Sequence, residues 1–303
     1  MEKIKITFLG TGSAIPTEKR NHPAVLLTYK DENILFDCGE GTQRQFRYAK
    51  LNPCKLTKIF LTHWHADHVL GLPGLIQTLM LNGYSKTLKI YGPKNTKKFM
   101  EKYLELFAKK ANKLKIEIHE ISNNKPVDEK EFYIETQEMS HDSPCLAYSF
   151  ILKSQTRLDK TKLKKLKLPN TPLLGELVKG KKVKIEGKTI DGKKLIYTEP
   201  ERKITYIMDT RQNKNTAQLA KNSDILICES TYAEDEKEIA DEHAHLTSTQ
   251  AAEIAKQSKS KTLYLTHLSQ RYETKNQQKQ ILDQAKKVFK NSEIAKDLLS
   301  IEL

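Results

Sequence analysis

The chain has 303 residues, a length that suits one large α/β domain with an insertion. Its apolar content of 38% allows a core, and no stretch approaches the ~20 apolar residues that a helix needs to cross a bilayer. Lys and Arg outnumber Asp and Glu by 52 to 38, and the net charge of +14 favours polyanionic partners such as nucleic acid or an anionic membrane surface.

In chain order, the opening MEKIKITFLGTGSAIP has too short an apolar run for a signal peptide, and Gly10 and Gly12 break it. IKITFLG therefore reads as a strand followed by a turn. AVLLTY, ENILFD and TKIFLTH are further strands. GLPGLIQTLMLNGY has the chemistry of a helix start and stops at Gly83. LKIYGP is a strand ended by Pro93, and NTKKFMEKYLELFAKKA carries a helical apolar stripe over residues 95–111. EFYIETQEMSH, KITYIMDT, DILICEST and KTLYLTH are later strands, and SEIAKDLLSIEL closes the chain. The alternation predicts an α/β fold with sheets covered by helices.

Residues 153–203 stand apart, with 16 Lys and Arg against 6 Asp and Glu. This stretch is expected to be a basic arm inserted between core strands, with Leu163, Leu166 and Leu168 marking a short amphipathic helix. Charge runs of this kind are often no more than a solvated loop. The four cysteines, Cys38, Cys54, Cys145 and Cys228, include no CxxC pair. They read as free thiols in a reducing compartment, so a cytoplasmic location is expected.

The chemistry concentrates in LTHWHADHVLG, which contains H-x-H-x-D-H. Imidazole and carboxylate suit zinc and similar divalent ions. Four ligands within six residues cannot all reach one ion from a regular strand or helix. A tight loop can send His63 and His65 to one ion and Asp67 and His68 to a second. Burying four such side chains without ligand partners would be costly, and packing explains none of them. His141, Asp209 and His267 each follow an apolar strand-like run, which makes them the candidates for the remaining ligands. His22 and His119 lack such context, and His243 and His245 lie in DEHAHLTSTQ, a loop before a helix. Two metals about 3.5–4 Å apart can activate a bridging water and clamp a phosphoryl group. Asp209 is the best carboxylate to lie between them. Asp67 could orient or deprotonate the water, and His245 could protonate the leaving group or bind phosphate.

These stretches together resemble the metallo-β-lactamase superfamily and, within it, the tRNA 3′-processing endonucleases known as tRNase Z or RNase Z. The likeness runs nearly end to end, through FLGTGSAIPTEKRN, NILFDCGEGTQRQ, IFLTHWHADHVLGLPGL, IMDTR, LICESTY, HLTSTQAA and LYLTHLSQRY. The H-x-H-x-D-H run alone marks only the superfamily, whereas the other motifs narrow the match.

The resemblance implies a four-layer αβ/βα sandwich over residues 1–303 with an inserted arm at 153–203, two zinc ions per subunit and a homodimer. It implies hydrolysis of precursor tRNA just 3′ of the discriminator nucleotide. By matching positions, His63, His65 and His141 would hold one zinc, Asp67, His68 and His267 the other, and Asp209 would bridge. Asp67 would serve as general base and His245 would assist proton donation. The arm would grip the tRNA backbone. Three positions depart from the family pattern: LPNTPLLG replaces the arm's usual Gly-Pro motif, Glu18 stands at the lysine position between Pro16 and Arg20, and Gln212 follows IMDTR. The alternative reading is a zinc phosphodiesterase or related hydrolase acting on a small substrate. A non-catalytic, metal-stabilised RNA-binding module is a third, and the seven-ligand set speaks against it because structural zinc sites are closed tetrahedra.

Overall fold

AVLLTY and ENILF are separated only by Lys30 and Asp31, and they fold back on each other as an antiparallel hairpin with Lys30 in the left-handed region at φ 52°. In the computed structural model, which describes residues 2–107, 114–166, 168, 170–185 and 187–303, this hairpin seeds the first of two seven-stranded sheets. That sheet contains β1 (Lys5–Gly10), β2 (Ala24–Tyr29), β3 (Glu32–Phe36), β4 (Lys58–Phe60), β5 (Thr87–Gly92) and β6 (Lys115–Glu120) in sequence order, with β18 (Ser300–Glu302) beyond β1. Pairing is antiparallel from β18 through β3 and parallel from β3 through β6.

The second sheet runs in the order β17 (Ser292–Ile294), β16 (Thr262–Thr266), β15 (Ile225–Glu229), β14 (Arg202–Ile207), β9 (Cys145–Leu152), β8 (Phe132–Met139) and β7 (Asn124–Asp128). Strands β14 to β17 are parallel. Strand β9 is buried at every position, so it lacks the period-two alternation that reveals a half-exposed strand in sequence.

The two sheets pack face to face through aromatic side chains. Phe36 stacks on Tyr206 with ring centres 5.4 Å apart, and Phe60 meets Tyr148 edge-on at 5.1 Å. Helices α1 (Thr42–Tyr48), α3 (Leu72–Leu81) and α4 (Thr96–Phe107) cover the outer face of the first sheet, burying Phe46, Leu75, Leu79 and Met100 against Leu35, Ile59 and Ile90. Helices α7 (Lys214–Leu219), α9 (Ser248–Gln257) and α10 (Lys275–Val288) cover the second, burying Leu219, Ile254 and Ile281 among Leu226, Leu263 and Leu265. The layers are therefore αβ/βα. Both α9 and α10 open on capping boxes, Thr247 with Gln250 and Thr274 with Gln277. Helix α10 is polar on most of its surface and buries only Ile281 and Ala285 inside its span, which leaves a weak stripe in the sequence. The helix expected over 95–111 is α4; its last expected residues, 108–111, lie outside the described residues. No helix among the described residues is long and apolar enough to cross a membrane.

A second compact unit comprises Glu129–Tyr133 and Ile151–Arg202 and so contains nearly all of the basic stretch. In it, β10 (Gln155–Leu158) pairs with β13 (Ile196–Glu199), and β11 (Lys182–Ile185) pairs with β12 (Lys188–Asp191). Asp159 caps the short α5 (Lys160–Lys165), and α6 (Leu174–Val178) follows. Leu177, Ile185, Ile190 and Leu195 form a small core that Leu163 and Leu168 also touch. Lysines such as Lys162, Lys179 and Lys181 remain more than half exposed. Of the three leucines expected to mark an amphipathic helix, only Leu163 lies within α5; Leu166 caps its end and is 45% exposed, and Leu168 packs on the core from beyond it.

Candidate metal centre

Strand register assembles the site. Phe36 of β3 lies opposite Phe60 of β4, so Asp37 and the Leu61–His63 segment leave the first sheet side by side. Ile207, Cys228 and Leu265 align across β14, β15 and β16, so Asp209, Glu229–Thr231 and His267 leave the second sheet at one end. Ligand sites of parallel sheets form outside such carboxyl ends. The chain turns sharply there: Asp37, Asp209 and His267 have φ of 56°, 40° and 59°. Left-handed backbone costs a residue bearing a Cβ about 1–2 kcal/mol, less for Asp and His than for bulkier residues. Strain gathered on site residues is a mark of function. Two glycines make the turn under Asp67 possible. A Cβ on Gly39 would lie 2.2 Å from the Asp67 carbonyl oxygen, and one on Gly71 would lie 2.0 Å from that of Gly39.

All seven expected ligands converge. His63, His65, His141 and Asp209 form one set and Asp67, His68, Asp209 and His267 another, with donor atoms in each set within 4.8 Å of one another. Asp209 belongs to both. Its Oδ2 lies 3.4 Å from His63 Nε2 and 3.3 Å from His68 Nε2, and its Oδ1 lies 3.3 Å from His267 Nε2. Asp67 Oδ2 is 3.3 Å from both His68 Nε2 and His267 Nε2. His245 stands beside the second set, its ring centre 5.4 Å from that of His267. His22, His119 and His243 join neither set.

Behind the ligands stand groups that carry no motif of their own in the sequence. The His63 Nδ1–H donates to the Thr62 hydroxyl (3.1 Å), which donates to Asp37 (3.0 Å), and Asp37 also accepts from His68 Nδ1 (2.9 Å). On the other sheet the His267 Nδ1–H donates to the Thr231 hydroxyl (2.9 Å), which donates to Glu229 (2.7 Å), and Glu229 also accepts from His245 Nδ1 (3.1 Å). The two relays share one design: imidazole, threonine, fully buried carboxylate, second imidazole. Each fixes its tautomers with Nε2 facing inward, the outer support that metal-binding imidazoles need. A usable signal did exist: Asp37 and Glu229 end the apolar runs ENILFD and DILICE, just as Asp209 follows its own run.

Electrostatics point the same way. Burial and the neighbouring His68 push His63 well below the ordinary imidazole pKa, so it is neutral and free to ligate. Burial opposes charge on His68, yet Asp67, Asp209 and Asp37 outweigh it and raise its pKa well above the usual value. A pocket of buried carboxylates that holds a proton so firmly also attracts a divalent cation. Burial would raise the pKa values of Asp67 and Asp209, but the surrounding imidazoles hold both below the normal carboxylate range. Burial likewise works against His245, and Glu229 and Asp209 overcome it, raising the group to about 9. Seven buried side-chain atoms among the described residues have no hydrogen-bond partner, and two of them, His63 Nε2 and Asp209 Oδ1, belong to the ligand sets. Such orphans are rare in a core, and here both face the point where the ligand set converges. The N/O donor set with orphaned inward atoms fits divalent metal.

Arg20 is buried and donates to the Thr11 hydroxyl (2.6 Å) and the Ala295 carbonyl (2.8 Å), while Glu18 and Lys19 stay at the surface.

Comparison with known proteins agrees with the geometry. Residues 4–161 match the family model described as anti-Pycsar protein Apyc1. The ribonuclease Z of Methanosarcina acetivorans is 38% identical over 306 residues, covering 99% of this chain and 98% of that protein. The crystal structure of human tRNase Z, short form, superposes with a TM-score of 0.70 at 27% identity over 98% of both chains. The metallo-β-lactamase fold protein YhfI from Bacillus subtilis superposes at 0.71 with 20% identity over both full chains, a likeness of fold. With its two helix-covered sheets and its full-length kinship, the chain belongs to the ribonuclease Z family of the metallo-β-lactamase fold, and its residues 4–161 also fall within the family described as anti-Pycsar protein Apyc1.

Proposed function

We propose that this chain is a metal-dependent endoribonuclease that removes the 3′ trailer of precursor tRNA, cutting just 3′ of the discriminator nucleotide. The observation that carries the reading is the pair of ligand sets joined at Asp209, within a chain related end to end to ribonuclease Z. The sets would hold two zinc ions: His63, His65 and His141 on one, Asp67, His68 and His267 on the other, Asp209 between. Bound there, divalent ions supply Lewis acidity and bring the pKa of a water towards neutrality.

The protein's own groups manage the protons. Asp67, kept ionised by its imidazole neighbours, can take the proton of the attacking water through the carboxylate oxygen not committed to ligation. His245, charged through Glu229, can hand a proton to the departing ribose oxygen. The basic unit supplies lysines to the tRNA backbone, which it reads by shape and charge. A cytoplasmic homodimer completes the proposal.

A tRNA carrying a 3′ extension, prepared with and without a CCA triplet, tests the reading. The wild-type protein is expected to cut once after the discriminator, and His65→Ala to leave the RNA intact. A protein that binds metal yet leaves both RNAs whole would overturn the tRNA assignment.

Glu229→Gln tests the proton donor. Removing the carboxylate lowers the His245 pKa, so the protonated form disappears at lower pH. The alkaline limb of the pH–rate profile should therefore move acidward, by about 1 pH unit or more if the Glu229 contribution exceeds about 1.4 kcal/mol. An unmoved limb would remove His245 from that role. The same pair favours the fold most below the unfolded imidazole pKa of 6.5, and that contribution is lost as pH rises through about 9.

A further inference from the structure

His65 is the most exposed of the five imidazoles in the ligand sets. Its side chain is 40% accessible, against 2% or less for the others. Four of the five have an outer nitrogen held by a group inside the protein: His63 by Thr62, His68 by Asp37, His267 by Thr231, and His141 by the Ala244 carbonyl at 3.2 Å. His65 is oriented differently. Its Nδ1 faces His141 Nε2 at 3.2 Å, on the inner side of the set, and its Nε2 lies 3.2 Å from Oδ1 of Asp142.

Asp142 follows His141 in the turn between β8 and β9, and its Oδ1 also lies 3.3 Å from His141 Nε2. The stem of that turn is pinned. Arg211 N donates to the Ser140 carbonyl at 2.8 Å, and the His141 ring is tied to Ala244. The carboxylate is therefore delivered to His65 by a fixed backbone, although the Asp142 side chain is 65% exposed.

We propose that Asp142 is a positioning residue for the first ligand set: it accepts the Nε2–H of His65, selects the tautomer with Nδ1 bare, and aims that nitrogen at the set formed with His63, His141 and Asp209. With it, each of the five imidazoles has an outer partner. The inference rests on the reading that this set holds a divalent ion. An exposed ion pair by itself contributes little to stability. An outer partner of a metal-bound imidazole is worth roughly 10- to 100-fold in metal affinity, and solvent competition places Asp142 near the lower figure.

The test is competition between the protein and a chelator for Zn²⁺, together with the visible spectrum of the Co²⁺-loaded protein, for wild type, Asp142→Ala and Asp142→Asn. Asp142→Ala should weaken one of the two bound ions by about 10-fold and leave the other unchanged. Asp142→Asn, whose amide oxygen still accepts, should fall between. The metal-free proteins should melt together, and the Co²⁺ spectrum should keep its wild-type form because every ligand is retained. Unchanged affinity for both ions, or equal weakening of both, would overturn the proposal. A Co²⁺ spectrum reporting one oxygen ligand fewer would overturn it too, by making Asp142 a direct ligand. Wild-type protein that takes up no metal would instead sink the ligand reading on which the proposal stands.

Discussion

Asp67→Asn is expected to slow cleavage of 3′-extended tRNA at saturating RNA by about 10²- to 10⁴-fold, the range that a positioned general base contributes. The substitution keeps the shape of a side chain that is 8% exposed and keeps one oxygen able to ligate. What it removes is the capacity to accept a proton. Asp67 has that capacity at neutral pH because His68 and His267, both 3.3 Å from Oδ2, hold its pKa down against the effect of burial. Rate and metal content must be measured on the same preparation. Slow cleavage with metal retained assigns Asp67 to proton transfer; slow cleavage without metal assigns it to ligation alone. Wild-type turnover would take Asp67 out of the chemistry.

Excising residues 160–190 should raise KM for precursor tRNA by about 10²-fold, the equivalent of two charge-assisted hydrogen bonds of about 1.5 kcal/mol each. Hydrolysis of bis(p-nitrophenyl) phosphate should be spared. The segment carries 10 Lys against 2 Glu, a net +8 of the chain's +14. The cut is structurally reasonable: Leu158 of β10 lies opposite Ile196 of β13, so a short linker between residues 159 and 191 closes over a strand pair that remains. The log–log salt dependence of RNA binding should flatten by roughly 0.7–0.9 for each phosphate that the shortened protein no longer neutralises. Because the excision also removes most of the unit's small core, the triple replacement of Lys162, Lys164 and Lys165 by Ala supplies a variant that leaves the core leucines in place. Equal impairment on both substrates would sink the idea of an RNA-gripping unit and favour a small-substrate hydrolase.

The candidate ligands were legible through their chemistry. His63, His65, Asp67 and His68 crowd into six residues, a density that packing cannot explain, so the chain announces its metal chemistry locally. His141, Asp209 and His267 were legible because each follows an apolar run whose length and composition already mark a strand. The two sheets and the helices beside them were visible as periodicity, except where burial erased it, as in β9, or where few apolar residues were needed, as in α10.

The outer groups were less legible: Asp37 and Glu229 end apolar runs, but nothing local says which imidazole each one supports. Thr62 and Thr231 are ordinary strand-end residues until register places each between an imidazole and a buried carboxylate. Asp37 is separated in sequence from His68 by 31 positions, and Glu229 from His245 by 16. Asp142 sits next to a ligand, yet its relation to His65 exists only once β8 is paired and His141 is tied to Ala244. The sequence by itself determined which residue types could bind metal, where the strands that carry them lie, and that a lysine-rich stretch interrupts them, since those are properties of composition and spacing. The tertiary structure alone decided which carboxylate each imidazole leans on and that the basic stretch folds around a core of its own. Those depend on distances between residues far apart in the chain, and pairing register and side-chain packing are what set them.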